Sequence, residues 1–146
     1  MVENSQVEAR GRVEDEVVAA YNAYIDSFNS GDVDACVANF VIPYYDLRTV
    51  EGVPTQVLYA TEQDARRYFE DALATMRAAG WEGTSSVVNT AITQYGDDMV
   101  ALTVDFERLT ATGEPIDEHR VVYSFIRPAG RWQICGYIAV DADYVK

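Results

Sequence analysis

The chain is 146 residues long, with 49% apolar and 24% charged residues, which is the composition of one globular domain and excludes a disordered or fibrous chain. Its 24 acidic residues outnumber its 11 basic ones and leave a formal net charge of -13. Such a field repels polyanions, so neither nucleic acid nor an anionic membrane is expected as a partner.

The N-terminal part of the sequence predicts a flexible tail followed by an amphipathic helix. Residues 1–10 are polar, and one domain is expected to span residues 11–146. Behind the tail, apolar side chains recur at steps of three and four residues, which is one face of a helix. They are Val13, Val17, Tyr21, Tyr24 and Phe28. The helix is expected to end at Gly31, because glycine readily adopts the left-handed conformation that follows a helix.

Two further helices are predicted from capping residues. Asp32 is suited to cap a short second helix that runs to about Asn39. Thr61, with Asp64 three residues later, resembles a capping box and begins a third helix that stops at Gly80. All three helices are therefore expected within the first 80 residues.

The remaining segments predict extended strands. Two short strands are expected between the second and third helices, and four longer ones follow, with apolar residues at a period of two and turn signals between them. The expected ranges are 41–49, 55–60, 84–95, 98–110, 117–128 and 131–140. Helices early in the chain and hairpin-linked strands late in it indicate an α+β fold with a mostly antiparallel sheet.

Four passages, spread over about residues 13–140, resemble one known superfamily. They are Tyr24–Ala35, which carries Asn-Ser-Gly-Asp at a helix-to-helix junction, Phe40–Asp46, Ala101–Glu107 and Val121–Ile134. In this order they resemble the NTF2-like superfamily, which includes the SnoaL-like polyketide cyclases, the ketosteroid isomerases and the limonene epoxide hydrolases. The resemblance implies a cone in which three N-terminal helices pack on a curved sheet and close an apolar pocket. Because this scaffold carries enzymes and non-enzymes, it does not by itself define a function.

The resemblance to the isomerases implies an acid–base site. In those enzymes a carboxylate moves a proton while hydroxyl donors hold the developing enolate oxygen. Asp46 corresponds to the carboxylate and Tyr24 to the hydrogen-bond donor of the first helix, with a core aromatic as the alternative for Tyr24. In the enzyme hypothesis Tyr137 of the last strand is a second donor. Counting without gaps from Gly31 brings Arg48 to the position of the base instead, and a slip of two residues, which keeps the strand face, brings Asp46 there. Asp46 and Arg48 can also simply pair with each other.

The acids that the relatives carry on their last two strands are missing. The isomerase position falls on Val122 or Tyr123, and the cyclase position falls on Tyr137. Arg120 has the predicted inward parity of Val122, so it is the preferred pocket cation. The single histidine, His119, has the opposite parity and is interpreted as an exposed residue that pairs with an acid.

The expected pocket is lined by aromatic, apolar and a few polar side chains. The candidate substrate-binding residues are Tyr21, Phe28, Phe40, Tyr44, Arg48, Phe69, Val104, Phe106, Arg120, Val122 and Ser124. Their character predicts a small, largely apolar ligand with a carbonyl or phenol group. With one histidine and no paired cysteines, the sequence offers no metal site, and no cofactor is expected.

Two functions fit these residues. The first is a cofactor-independent isomerase, cyclase or hydratase in which Asp46 is the general base and Arg48 or Arg120 stabilises the anion. The second is a non-catalytic ligand-binding or dimerisation module. In either case the outer sheet face is predicted to pack on a second copy and form a homodimer. The residues expected on that face are Val121, Tyr123 and Phe125.

The location of the protein is predicted from its cysteines and its apolar runs. Cys36 and Cys135 lie in apolar surroundings and are interpreted as buried free thiols, with a disulfide as the alternative, which indicates a reducing compartment. No apolar run approaches the roughly 18 residues of a membrane span, and the acidic N-terminal segment lacks the basic and apolar regions of a signal peptide. A cytoplasmic protein is therefore expected.

Overall fold

The computed structural model describes residues 11–140, so the expected tail, residues 1–10, lies outside the described residues, as do residues 141–146. The described part contains three helices and six strands, as the sequence predicts. Their bounds are α1 Arg12–Ser30, α2 Val33–Ala38, β1 Phe40–Val50, β2 Val53–Tyr59, α3 Glu62–Ala78, β3 Thr84–Gly96, β4 Met99–Leu109, β5 Pro115–Ile126 and β6 Gln133–Ala139. None of the helices in this part combines the length and the apolar character that crossing a membrane requires.

The helix ends lie where their capping residues predict. Gly31 follows α1 in the left-handed conformation, with a φ of 76°. The Asp32 side chain accepts a hydrogen bond of 3.1 Å from the Ala35 N–H, and Thr61 accepts one of 3.2 Å from the Asp64 N–H. These bonds satisfy amide groups that the start of a helix leaves without an intrahelical partner.

All six strands form one sheet in the order β2-β1-β6-β5-β4-β3. Neighbouring strands are antiparallel except β1 and β6, which are parallel. Because these two strands run in the same direction, their carboxyl-terminal halves lie side by side, and Asp46 is paired with Tyr137. The helices pack on one face of the curved sheet, which confirms the expected α+β cone.

The core between the helices and the sheet is rich in aromatic side chains. Tyr24 contacts the rings of four others, with centroids between 5.3 and 6.3 Å apart, in edge-on or tilted geometry. These neighbours are Phe28, Phe40, Phe69 and Tyr123. Because edge-to-face pairs have a preferred geometry, this cluster fixes α1 against the sheet.

β5 presents the face opposite to the one predicted. Leu102 and Val104 of β4 are fully buried, and they are paired with Tyr123 and Val121. Paired residues of neighbouring strands lie on the same side of a sheet, so Tyr123 and Val121 face the helices. Phe125 is buried in the same core. The prediction that these three residues of β5 form the outer face is therefore wrong.

Arg120, Val122 and Ser124, which were predicted to face the pocket, lie instead on the outer face of the sheet. Arg120 Nε donates to Asp105 Oδ1 at 2.6 Å, and Ser124 Oγ lies 2.8 Å from the Tyr45 hydroxyl. The physical reason is a register shift in the pairing of β4 with β5. It lies between Arg108 and Leu109, next to the loop that connects the two strands. A change of register by one residue exchanges the two faces of a strand.

Candidate functional site

A cavity of about 450 Å³ lies between α1, α3 and the inner face of the sheet. Apolar side chains from both layers form most of its wall. We call its four nearly buried tyrosines the floor: Tyr21, Tyr24, Tyr123 and Tyr137. We call its more exposed basic side chains the rim: Arg48, Arg108 and His119. The cavity therefore joins an aromatic interior to a basic opening.

The structure divides the predicted site residues into three groups. Those on the cavity wall are Tyr21, Tyr24, Phe28, Arg48, Phe106 and Tyr137. Those buried behind the wall are Phe40, Tyr44, Asp46, Phe69 and Val104. Those on the outer face of the sheet are Arg120, Val122 and Ser124. The first group brings residues of α1, β1, β4 and β6 together around one volume.

Asp46 is 1% exposed and is bound by two neighbours on the cavity wall. Arg48 donates to it from Nε, at 2.9 Å to Oδ1, and from Nη2, at 2.7 Å to Oδ2. The Tyr137 hydroxyl donates to Oδ2 at 3.0 Å. Asp46 and Arg48 share a face because they are two residues apart in a strand. The carboxylate itself does not line the cavity, so it reaches a bound molecule only through these two side chains.

Burial raises the pKa of tyrosine hydroxyls of the site, so they stay neutral far above neutral pH. The pKa of Tyr137 lies well above its usual value, mainly because of burial and to a smaller degree because of Tyr68 and Asp46 nearby. Burial raises the pKa of Tyr24 in the same way. For Arg48, burial acts to lower the pKa, but the hydrogen bonds with Asp46 raise it overall, so the guanidinium stays charged. The site thus offers neutral phenol groups beside a cation.

Two of the three rim residues, Arg108 and His119, lie close together on β4 and β5. Arg108 Nη1 is 3.3 Å from Asp117 Oδ2, and the guanidinium carbon lies 5.6 Å from the centre of the Phe106 ring. The His119 imidazole stacks on Phe106 with ring centroids 5.4 Å apart, and its Nε2 is 3.0 Å from the same Asp117 oxygen. The expected acidic partner of His119 is therefore present. The residue is half-buried at the rim, however, and not on the outer surface as predicted.

Sequence reasoning missed several residues of the cavity wall, among them Tyr68, Arg108, His119 and Tyr123, and the first two had a readable signal. Tyr68 of α3 is spaced three residues from Ala65 and five from Leu73, both of which are buried, so helical spacing places it toward the core. Arg108 follows Phe106 by two residues in a strand and therefore has the same parity. His119 and Tyr123 depend on how β5 pairs with β4, which the sequence does not reveal.

Metal-ligating side chains are not grouped in the described part of the chain. Within residues 11–140, no three side chains of His, Cys, Asp or Glu lie together in a way that could hold a metal ion.

An α+β cone that encloses an aromatic cavity between its helices and a six-stranded sheet is the architecture of NTF2-like proteins with the cystatin-like fold. The chain belongs to this family, since residues 15–142 match the family described as NTF2-like protein (DUF6841). No curated protein sequence matches the chain at a significant level.

Solved structures share the fold at low sequence identity. A protein from Xanthomonas campestris, provisionally assigned as a calcium/calmodulin-dependent protein kinase II association domain, is similar with a TM-score of 0.70 and 16% identity over 99% of this chain and 97% of that chain. A protein of unknown function with a cystatin-like fold from Nostoc punctiforme has a TM-score of 0.69 and 12% identity over 91% and 94%. An NTF2-like protein of unknown function from Pseudomonas putida has a TM-score of 0.67 and 11% identity over 87% and 84%. These similarities show the fold alone.

Proposed function

We propose that this chain binds a small, largely apolar molecule with an oxygen group in the cavity between its helices and its sheet. The observation that carries the proposal is a cavity of about 450 Å³ with a mostly apolar wall that also includes tyrosines and a few charged side chains. Ligand sites typically have volumes of about 300–1,000 Å³ and combine apolar walls with a few polar groups that fix the orientation of the ligand. A carbonyl, hydroxyl or carboxyl oxygen is the group that phenol hydroxyls recognise.

A packing defect does not account for this cavity. Protein interiors are close-packed, and voids larger than a water molecule are few. Genuinely empty cavities are lined by apolar side chains alone, whereas Tyr24, Tyr68 and Tyr137 bring hydroxyls to this one. A cavity of this size and polarity is therefore best explained by a ligand.

Binding of the uncharged fluorescent probe N-phenyl-1-naphthylamine tests the proposal, because its emission rises in apolar surroundings. We expect saturable, one-to-one binding to the full chain. Ala72 lines the cavity on α3, so Ala72→Phe should fill part of the volume and weaken binding at least about tenfold. Ala74 is exposed on the same helix, and Ala74→Phe is the matched control that should leave binding unchanged. Equal binding by the two variants, or no saturable binding by the wild type, would contradict the proposal.

Acid–base catalysis of the isomerase, cyclase or hydratase kind is a second candidate function, and the hydrogen bond from Tyr137 to Asp46 favours it. In a relay, Tyr137 passes its proton to Asp46 while the Tyr137 oxygen accepts a proton from the substrate. Arg48 and Tyr24 then stabilise the negative charge that develops on the substrate. The resemblance to ketosteroid isomerases and SnoaL-like cyclases supports this candidate.

A non-catalytic binding module is supported by the cavity-facing residues of β5 and β6, none of which is an acid in the described part of the chain.

Exchange of carbon-bound hydrogen for deuterium distinguishes these two candidates. Small ketones that displace the naphthylamine probe are incubated with the protein in D2O, and loss of the proton next to the carbonyl is followed by NMR. An enzyme should accelerate the exchange, and Tyr137→Phe should lose about 10²-fold of that acceleration. Tyr45→Phe, on the outer face, should lose none. If no displacing ketone exchanges faster than in buffer, the non-catalytic function stands.

A cytoplasmic location is proposed for this activity. Cys36 and Cys135 are free thiols, which is typical of proteins in a reducing compartment. Cys36 is buried as expected, whereas Cys135 is half-buried.

A further inference from the structure

We propose that the ligand is an apolar acid and that Arg108 binds its anionic group at the rim of the cavity. This inference rests on the proposed binding function and adds to it the charge of the ligand and the residue that selects that charge.

The two arginines of the rim differ in how far their hydrogen-bond donors are used. Arg48 donates three hydrogen bonds to the two oxygens of Asp46. Arg108 donates a single hydrogen bond of 3.3 Å, from Nη1 to Asp117 Oδ2, among the described residues. A guanidinium group has five N–H donors in a planar fork that matches a carboxylate. Arg108 therefore has most of its donors free to bind a ligand.

Asp117 contacts Arg108 through one carboxylate oxygen, Oδ2, and this contact occupies one of the five N–H donors of the guanidinium. The Nε2 atom of His119 lies 3.0 Å from the same carboxylate oxygen. The Arg108 side chain is only 15% exposed, so water replaces few of the missing contacts. The donors of Arg108 that Asp117 does not use are therefore largely shielded from water, and an anion bound in the cavity would accept hydrogen bonds from them.

The cavity wall carries more basic than acidic side chains, in contrast to the whole protein. The net charge of -13 repels anions in general, so a basic opening does not follow from the composition. Asp46 and Asp117 lie outside the cavity wall, and among the described lining residues only Asp71, which is exposed, is an acid. An acid with its apolar part on the tyrosine floor would place its anionic group beside Arg108 and His119.

Two probes with one aromatic framework test this inference. 1-Anilinonaphthalene-8-sulfonate carries an anionic sulfonate that N-phenyl-1-naphthylamine lacks. We expect the wild type to bind the sulfonate about tenfold more tightly than the amine, and Arg108→Gln to remove that preference without changing the amine affinity. Arg66, in a surface pair with Asp34, provides the matched control. Arg66→Gln removes the same charge from the chain and should keep the preference.

The outcomes separate the inference from the function on which it rests. If the amine binds and the sulfonate binds no more tightly, the ligand is not an acid, while the binding function stands. If neither probe binds to the wild type, both proposals are overturned. Displacement of the amine by the sulfonate shows that both occupy the cavity, and Ala72→Phe should weaken both. Should Arg108→Gln fail to fold by circular dichroism, Arg108→Lys, which keeps the charge and loses the fork, is expected to lower the sulfonate affinity only.

Discussion

A carboxylate that is 1% exposed is stable in a protein only when a cation and hydrogen-bond donors replace its water. Asp46 has both, because Arg48 binds its two oxygens and Tyr137 donates to one of them. Removing one member of such a group leaves the others with unsatisfied polar atoms. The loss in the free energy of unfolding is then larger than the amount by which the intact contact stabilises the protein. Asp46 is therefore a positioning residue that fixes two side chains of the cavity wall.

We predict that Asp46→Asn lowers the free energy of unfolding by about 3 kcal/mol, because it leaves Arg48 without its counterion. This value is at the lower end for a broken buried ion pair, since the Arg48 side chain keeps part of its contact with water. Urea unfolding followed by circular dichroism at neutral pH measures the change.

The matched control for this prediction is Asp34→Asn. Asp34 pairs with Arg66 at the surface, where both side chains are exposed. Exposed ion pairs contribute little, so the control should lose less than about 1 kcal/mol. If the two variants lose similar amounts of unfolding free energy, the ion pair of Asp46 stabilises the protein no more than a surface pair does, and the prediction is wrong.

At the scale of the helices and strands, features that depend on neighbouring residues could be predicted from the sequence. The left-handed Gly31 ends α1, and the caps at Asp32 and Thr61 begin α2 and α3, because each involves contacts within a few residues. The shared face of Asp46 and Arg48 follows in the same way from strand geometry. That Asp46 lies behind the wall could not be predicted, because it depends on the parallel pairing of β1 with a strand from the other end of the chain.

The orientation of β5 was not predictable for a related reason. Its sequence carries apolar residues on both faces, with Val121 and Val122 adjacent, so alternation alone does not distinguish the inner face. The orientation is determined by a register shift between Arg108 and Leu109, where β4 ends. As a consequence, the predicted Arg120 lies on the outer face of the sheet, and Arg108 is the arginine of this strand pair that lines the cavity.

At the scale of the whole molecule, the outer face of the sheet is the surface that needs an explanation. Residues on this face include Tyr45, Leu58, Thr103, Val122, Ser124 and Ile138. The charges of Asp105 and Arg120 on this face compensate each other at 2.6 Å, and this hydrogen bond lowers the pKa of Asp105. Leu58 is 60% exposed and Ile138 is 40% exposed. An antiparallel sheet with apolar residues on both faces usually has a cover on each.

We predict that a second copy of the chain provides this cover and that the protein is a homodimer through its outer sheet face. Ile138→Asp places a charge in the centre of that face and should raise the dissociation constant about 30-fold or more, as expected for a central interface residue. Val53, at the start of β2, is 60% exposed and has the opposite parity to Leu58, so it lies off the outer face and Val53→Asp should leave the dimer intact. Light scattering coupled to gel filtration measures the mass of each variant. A wild type with the mass of one chain would contradict the homodimer. An Ile138→Asp variant that stays dimeric under the same conditions would show that the dimer forms through another surface.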